Sequence, residues 1–234
     1  MRPLIVNTFL TLDGVMQAPG GPEEDPSGGF THGGWSVNYW DDVMGQYMAN
    51  GLSRPFDLLL GRKTYEIFAA HWPHATAEAR TERGGTESPA DDPAAKALNS
   101  ARKYVASRTL KRVDWNNSML LVGDVAEQVA KLKAKSGPEI HVHGSGNLIQ
   151  TLIKHDLVDQ YRLWTFPVLV GRGKRLFADG TIPEGLKLID SKTSTTGVLI
   201  ATYERAGEIQ RGSFAFEQPT EAELERRRKL AAEG

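Results

Sequence analysis

Strand-like and helix-like runs alternate along most of this chain. The alternation stops near the C-terminal end, where two strand-like runs are joined by a link too short to hold a helix. A parallel pair needs a crossover of about a dozen residues or more. The alternating part therefore predicts a mostly parallel sheet, and the last pair must be antiparallel. PLIVNTFL at residues 3–10 is short, apolar and β-rich, and predicts the first strand. FDLLLG at 56–61, RKYVAS at 102–107, NSMLLVG at 117–123 and PEIHVH at 138–143 predict four more. QYRLWTFPVLVG at 160–171 predicts a long strand in which Pro167 marks an edge or bulge. LKLIDSKTS at 186–194 and TGVLIATYERAG at 196–207 form the closing pair.

The intervening helices follow from spacing. In WDDVMGQYMANG (40–51), Trp40, Val43, Met44, Tyr47 and Met48 form one apolar stripe. KTYEIFAAHW (63–72) predicts a helix stopped by Pro73, and PAAKALNSA (93–101) one with Pro93 in its first turn. Asp124 is a plausible N-cap for DVAEQVAKLKAK (124–135). Leu148, Ile149, Leu152, Ile153 and Leu157 share a face of NLIQTLIKHDLV (147–158). The whole predicts an α/β fold, a mostly parallel sheet covered by helices on both faces with an antiparallel C-terminal edge. Residues 17–34, rich in glycine and proline, predict a long irregular loop that is either functional or disordered. Residues 74–92 are polar and predict a flexible insertion. One domain over 1–206 and a charged tail over 207–234 account for the chain; in the tail Thr220 to Glu223 reads as a capping box opening a surface helix.

Composition removes several functions. The chain has no cysteine among its 234 residues, which excludes disulfides, cysteine-bound zinc and a thiol nucleophile, and fits a cytoplasmic location. Its formal net charge of −1 gives no bulk attraction to nucleic acid or an anionic membrane. No apolar run reaches the roughly 18 residues of a membrane span.

Ligands collect at the carboxyl ends of strands in open parallel sheets. After PEIHVH comes GSGN, Gly144, Ser145, Gly146 and Asn147, opening a helix. Glycine lets backbone approach a ligand, and a helix N-terminus favours phosphate. Ile149 stands where a third glycine would complete G-x-G-x-x-G, so a plain strand-to-helix turn is an equal reading. GRKT, Gly61, Arg62, Lys63 and Thr64, adds two cations and a hydroxyl at another helix start; SRT, Ser107, Arg108 and Thr109, adds a third cluster. Three such clusters at equivalent strand ends point to a ligand with several phosphates, such as a dinucleotide with an extra 2′-phosphate. His141 and His143 share a strand face, but no third ligand stands at metal-site spacing. Trp35, Trp40 and Trp72 are either core or the walls of a flat pocket. For a proton donor, Asp41 lies at the edge of the apolar stripe, where it equally reads as a carboxylate at a helix start. Asp13 follows the first strand and equally reads as an Asp-Gly turn.

DLLLGRKTYE, YVASRTL and IHVHGSGNLIQTLI, in that order, resemble the corresponding stretches of dihydrofolate reductases. FLTLDGVMQAPGG and FPVLVGRGKRLF resemble the reductase domain of bifunctional riboflavin-biosynthesis enzymes. The resemblance covers residues 3 to about 205. It implies a dihydrofolate reductase-like fold, three-layer α/β/α, that binds NADPH and acts as a cytoplasmic reductase, commonly a homodimer. By the same resemblance Arg62, Lys63, Ser107 and Arg108 hold the adenosine end and its 2′-phosphate. Thr64 and the backbone of Gly144, Ser145 and Gly146 hold the pyrophosphate. Asp13 sits beside nicotinamide and substrate, and Asp41 answers to the acidic residue on the first helix of dihydrofolate reductases. Gly171, Lys174 and Arg175, in GRGKRLF, form a glycine-rich turn, either solvated or gripping an anionic substrate. The expected substrate is a small pyrimidine- or pterin-like heterocycle. A true dihydrofolate reductase and a non-catalytic nucleotide-binding module are the competing expectations.

Overall fold

The computed structural model describes residues 1–75, 93–179 and 181–233. The insertion expected at 74–92 therefore lies, from residue 76 onward, outside the described residues. The strands are β1 (Leu4–Thr11), β2 (Phe56–Gly61), β3 (Arg102–Ala106), β4 (Ser118–Leu121), β5 (Glu139–His143), β6 (Gln160–Phe166), β7 (Leu186–Thr193) and β8 (Leu199–Arg205). The helices are α1 (Asp42–Leu52), α2 (Arg62–His71), α3 (Pro93–Ser100), α4 (Val125–Ala134), α5 (Gly146–Lys154) and α6 (Glu221–Glu233).

One eight-stranded sheet runs in the order β4-β3-β2-β5-β1-β6-β8-β7. Pairing is parallel from β4 through β6. It is antiparallel where β8 joins β6 and β7 joins β8. This is the predicted architecture. β2 carries leucines on both faces because helices cover both. On one side Val6, Leu59 and Val142 meet Ile149 and Leu152 of α5 and Val129 of α4. On the other, Leu58, Leu60 and Val105 pack with Tyr65 and Leu98, while Met44 of α1 packs with Trp164, Phe166 and Ile200.

Local signals operate as chemistry requires. Asp124 caps α4, its carboxylate accepting the Glu127 N–H at 2.9 Å. The apolar face of α5 is buried at Leu148, Ile149, Leu152 and Ile153. Thr220 Oγ1 accepts the Glu223 N–H at 3.3 Å to start α6, which buries no side chain. No helix among the described residues is long and apolar enough to cross a membrane.

Two readings need correction. The strand expected at 160–171 stops at Phe166. Pro167 has no N–H for the ladder, and the chain beyond it pairs elsewhere: Leu12 N–H donates to Val168 O at 2.9 Å and Met16 N–H to Lys174 O at 2.8 Å. Nor does Pro167 mark an edge, because β6 lies between β1 and β8. The long loop at 17–34 is built, not disordered. Gln17 Nε2 donates to Asp25 O and Ser27 O, both at 2.9 Å, and Phe30 is buried with Val15 and Ala18.

Candidate active site

The carboxyl ends of β2, β3 and β5 open on a cleft of about 1440 Å³. Gly61, Arg62, Lys63 and Thr64, then Ser107, Arg108 and Thr109, then Gly144, Ser145, Gly146 and Asn147 all line it. Three segments far apart in sequence are thus brought to one wall. A second depression, of about 1580 Å³, lies at the opposite ends of the strands. Its buried pair, Arg2 and Asp57, is mutually satisfied, and its other cations (Arg54, Arg102, Lys131 and Lys135) stand in solvent. The larger volume therefore carries less chemistry.

The wall is shaped to leave amides free. Gly144 has φ +52° and Ser145 φ +68°, two successive left-handed residues. Ser145 does not cap α5 with its side chain. Its hydroxyl instead accepts the Gly61 N–H at 2.9 Å and donates to His143 O at 3.1 Å, joining the β2 and β5 turns. The first-turn N–H groups of α5 have no partner within the helix, and they face a cleft. A Cβ at Gly144 would lie 3.4 Å from Thr64 Oγ1, so the two turns approach as closely as glycine allows. Arg62 is half-exposed, and among the described residues its ion-pair partner is Glu66 at 3.5 Å. Arg108 is exposed, with no carboxylate within 4 Å among the described residues. Ser107 is partly engaged, its hydroxyl accepting the Leu110 N–H at 3.0 Å. Free amides, a helix N-terminus and two loosely held guanidiniums make an anion-binding wall.

The loop at 17–34 forms the rim. Lys174 Nζ donates to Asp25 and, at 2.8 Å, to Ser27 Oγ; Lys63 lies 3.5 Å from Asp25. Lys63 is thus turned toward the rim. Burial raises the Asp25 pKa, but the hydrogen bonds from Lys174 and Ser27 and the charges of Lys174 and Lys63 outweigh it, bringing it to about 2 from 3.8. A depressed carboxylate contributes stability above its unfolded pKa and loses it as pH falls through the folded one. Asp25→Asn is therefore expected to be less stable than wild type at pH 5, the gap narrowing between about pH 4 and pH 2. Urea unfolding across that range checks it; a gap independent of pH would show that the ion pair does not hold the rim.

Neither candidate acid lines the cleft. Asp13 is spent on the 168–176 turn. Its carboxylate accepts from Thr11 Oγ1 at 2.6 Å, Gly171 N–H at 2.8 Å and Val170 N–H at 3.3 Å. The Thr11 bond leads in holding its pKa below the ordinary value. Arg175 donates to Asp13 O. Gly171 and Arg175, expected near substrate, therefore fasten Asp13, and of that turn only Lys174 reaches the cleft. Asp41 is the N-cap of α1, accepting the Met44 N–H at 2.8 Å, and its other oxygen accepts from Thr195 N–H and Oγ1, both at 2.6 Å. Those bonds, Thr195's first, hold its pKa low as well. Both carboxylates brace turns, and neither is poised to release a proton near neutral pH.

Comparison with known proteins adds the family. The model of the RibD C-terminal domain matches residues 2–200. The chain belongs to this family. The Bacillus subtilis (strain 168) "Uncharacterized protein YyaP" is 30% identical over 210 residues, covering 88% of this chain and 96% of that protein. Two solved structures share the fold. A Shewanella sp. PV-4 protein named for riboflavin biosynthesis is 22% identical with a TM-score of 0.56, over 87% of this chain and 99% of that one. A Thermotoga maritima diaminohydroxyphosphoribosylaminopyrimidine deaminase/5-amino-6-(5-phosphoribosylamino)uracil reductase is 13% identical with a TM-score of 0.54, over 88% of this chain and 57% of that one.

In this RibD C-terminal domain the cleft floor holds residues that spacing alone did not single out: Asn7 of β1 and Arg162 and Trp164 of β6. His141 and His143 join them there, and among the described residues no three His, Asp or Glu side chains gather where they could hold a metal ion. Burial, with the neighbouring charges of His141 and Arg162, pushes the His143 imidazole down to about 3, so it is neutral at physiological pH. Of the three tryptophans expected as core or pocket walls, Trp40 and Trp72 line the cleft. Trp35 is turned inward, 5.3 Å from the Phe166 ring, its Nε1 donating to Gln17 O at 2.8 Å. Polar residues inside mostly apolar strands, Asn7 in β1 and Arg162 in β6, were the available signal, but only neighbouring strands show that they converge.

Proposed function

We propose that this RibD C-terminal domain is an NADPH-dependent reductase of a small pyrimidine- or pterin-like heterocycle. The observation that carries the reading is the uncapped Gly144-Ser145 turn at the start of α5, opposed by Thr64 and flanked by Arg62 and Arg108 on the same cleft wall. Successive left-handed residues and free helix amides fit a pyrophosphate. The two guanidiniums fit a further phosphate monoester, which distinguishes NADPH from NADH. When bound, the cofactor supplies a hydride. The chain's own residues then have three tasks. The α5 turn and Thr64 fix the anionic end. The 17–34 rim, tied down through Asp25 and Lys174, limits water. Trp40, exposed and stacked at 6.1 Å and 5° on the buried Trp164, offers its flat face to a planar substrate. Membership in the RibD C-terminal domain family supports the reductase reading.

The cofactor assignment is tested by Arg62→Ala. Loss of one charge-assisted contact to a phosphate removes about 1.5–3 kcal/mol, so NADPH affinity should fall roughly 10- to 100-fold while NADH affinity changes little. Fluorescence titration with both nucleotides measures it; equal weakening of the two would sink the 2′-phosphate assignment.

A further inference from the structure

Strand register aligns a row of polar side chains across the middle of the sheet. His143 of β5 is level with Asn7 of β1, and Asn7 is level with Arg162 of β6. The row continues to Thr202 of β8. Residues level with one another on adjacent strands project from the same face, and His143, Asn7 and Arg162 all line the cleft. Buried polar groups in a sheet destabilise it unless they are partnered. This row is only partly so. Arg162 Nη1 donates to Asn7 Oδ1 at 3.2 Å, and among the described residues no carboxylate lies within 4 Å of the guanidinium. His143 Nε2 is shut off from solvent and, among the described residues, has no hydrogen-bond partner. Two residues along β6 from Arg162, on the same face, Trp164 stacks with Trp40.

Carboxylates are equally informative by position. Among the described residues, those lining the cleft are Glu24, Asp25 and Asp124. Each is engaged away from the floor: Glu24 accepts the Gly20 N–H at 2.6 Å, Asp25 is paired with Lys174, and Asp124 caps α4. Among the described residues the floor thus presents a guanidinium, a neutral imidazole ring and an amide beside aromatic rings, and no negative charge to hold a protonated ring.

We propose that Arg162, oriented by Asn7, is the substrate-reading cation of this cleft. It takes an anionic oxygen on a planar heterocycle, either a ring carboxylate or a ring enolate. This rests on the reductase reading for the chemistry that follows binding, but the recognition it describes belongs to the floor alone. The substrate class is therefore an acidic oxo-heterocycle and not a basic diamino one. Arg162 is a specificity-determining residue, since the planar fork matches two acceptor sites where a lysine would offer a point charge.

Four pyrimidines of similar size serve as probes for the full chain: orotate, which carries a ring carboxylate; barbiturate, a ring enolate at neutral pH; neutral uracil; and basic 2,4-diaminopyrimidine. Calorimetric titration at pH 6.5 is run with and without saturating NADPH. At least one anion should bind tenfold or more tightly than uracil, with 2,4-diaminopyrimidine weakest; whichever anion binds identifies the oxygen. Arg162→Gln should abolish that preference and leave NADPH affinity within about twofold, and Arg162→Lys should restore part of it. The comparison among probes on wild-type protein holds even if a variant does not fold. The proposal is overturned if no anion is preferred, if 2,4-diaminopyrimidine binds as well as the anions, or if Arg162→Gln keeps the preference. Anion preference without any NADPH binding would leave the proposal standing and remove the cofactor reading instead.

Discussion

Gly144→Val is expected to weaken NADPH binding at least about 100-fold, equivalent to roughly 2.7 kcal/mol, while the protein remains folded. Gly144 sits at φ +52° in the turn between β5 and α5. A β-branched residue is strained there by about 1–3 kcal/mol. The added Cβ would meet Thr64 Oγ1 at 3.4 Å and Thr64 Cγ2 at 3.5 Å, so its methyl groups crowd the space between the β2 and β5 turns. An anion that needs the free amides of α5 meets side-chain carbon instead. The strain is local, and at roughly 2–4 °C per kcal/mol for a chain of this size it lowers the melting temperature only moderately. Nucleotide titration beside a thermal melt separates the two effects. Undiminished affinity in a folded variant would show that this turn does not hold phosphate.

Lys103→Ala is expected to cause the largest loss of stability, on the order of 4 kcal/mol and roughly 10 °C in melting temperature, with no direct effect on the cleft, which Lys103 does not line. Lys103 lies in β3 with its side chain fully buried. Its Nζ donates to Asn99 O at 2.9 Å, Ala101 O at 2.7 Å and Asn116 O at 3.0 Å, and stands 4.2 Å from the centre of the Trp115 ring. The ammonium thus ties the end of α3 to the turn before β4. Truncation leaves buried carbonyls unpaired and opens a cavity. Lys103→Met fills the volume but not the bonds, and should recover only part of the loss. Burial pushes the Lys103 pKa down to about 8 from 10.5. Between those values the unfolded chain binds more protons, so this group's contribution to stability rises with pH across that window. Calorimetric melts of the three proteins, repeated at pH 7 and pH 10, decide it. A melting temperature for Lys103→Ala within a degree or two of wild type would mean the buried ammonium bridges nothing that matters.

Much of the fold is legible in short-range pattern because short-range physics produces it. The α5 face at Leu148, Ile149, Leu152 and Ile153 is a periodicity that any apolar core would bury. The Asp124 cap depends on neighbours three residues away. The antiparallel pairing of β7 and β8 follows from a link too short for a crossover. The anion-favouring character of GSGN and GRKT is local as well, since glycine freedom and helix amides need no distant partner.

What depended on distant partners was not legible. Pro167 could be read as a bulge because nothing in QYRLWTFPVLVG shows that the following backbone pairs with Leu12–Met16. Asp13 and Asp41 looked available to substrate because Gly171 and Thr195, which occupy them, lie over 150 residues away. Asn7 and Arg162 are separated by a similar distance along the chain and become neighbours only when β1 settles between β5 and β6. Sequence by itself determined the elements, their caps and the phosphate-favouring turns, all set by interactions within a few residues. Only the tertiary structure decided which carboxylates are spent on bracing and that Arg162 lies on the cleft floor beside Asn7, because register between strands distant in sequence sets which polar groups meet.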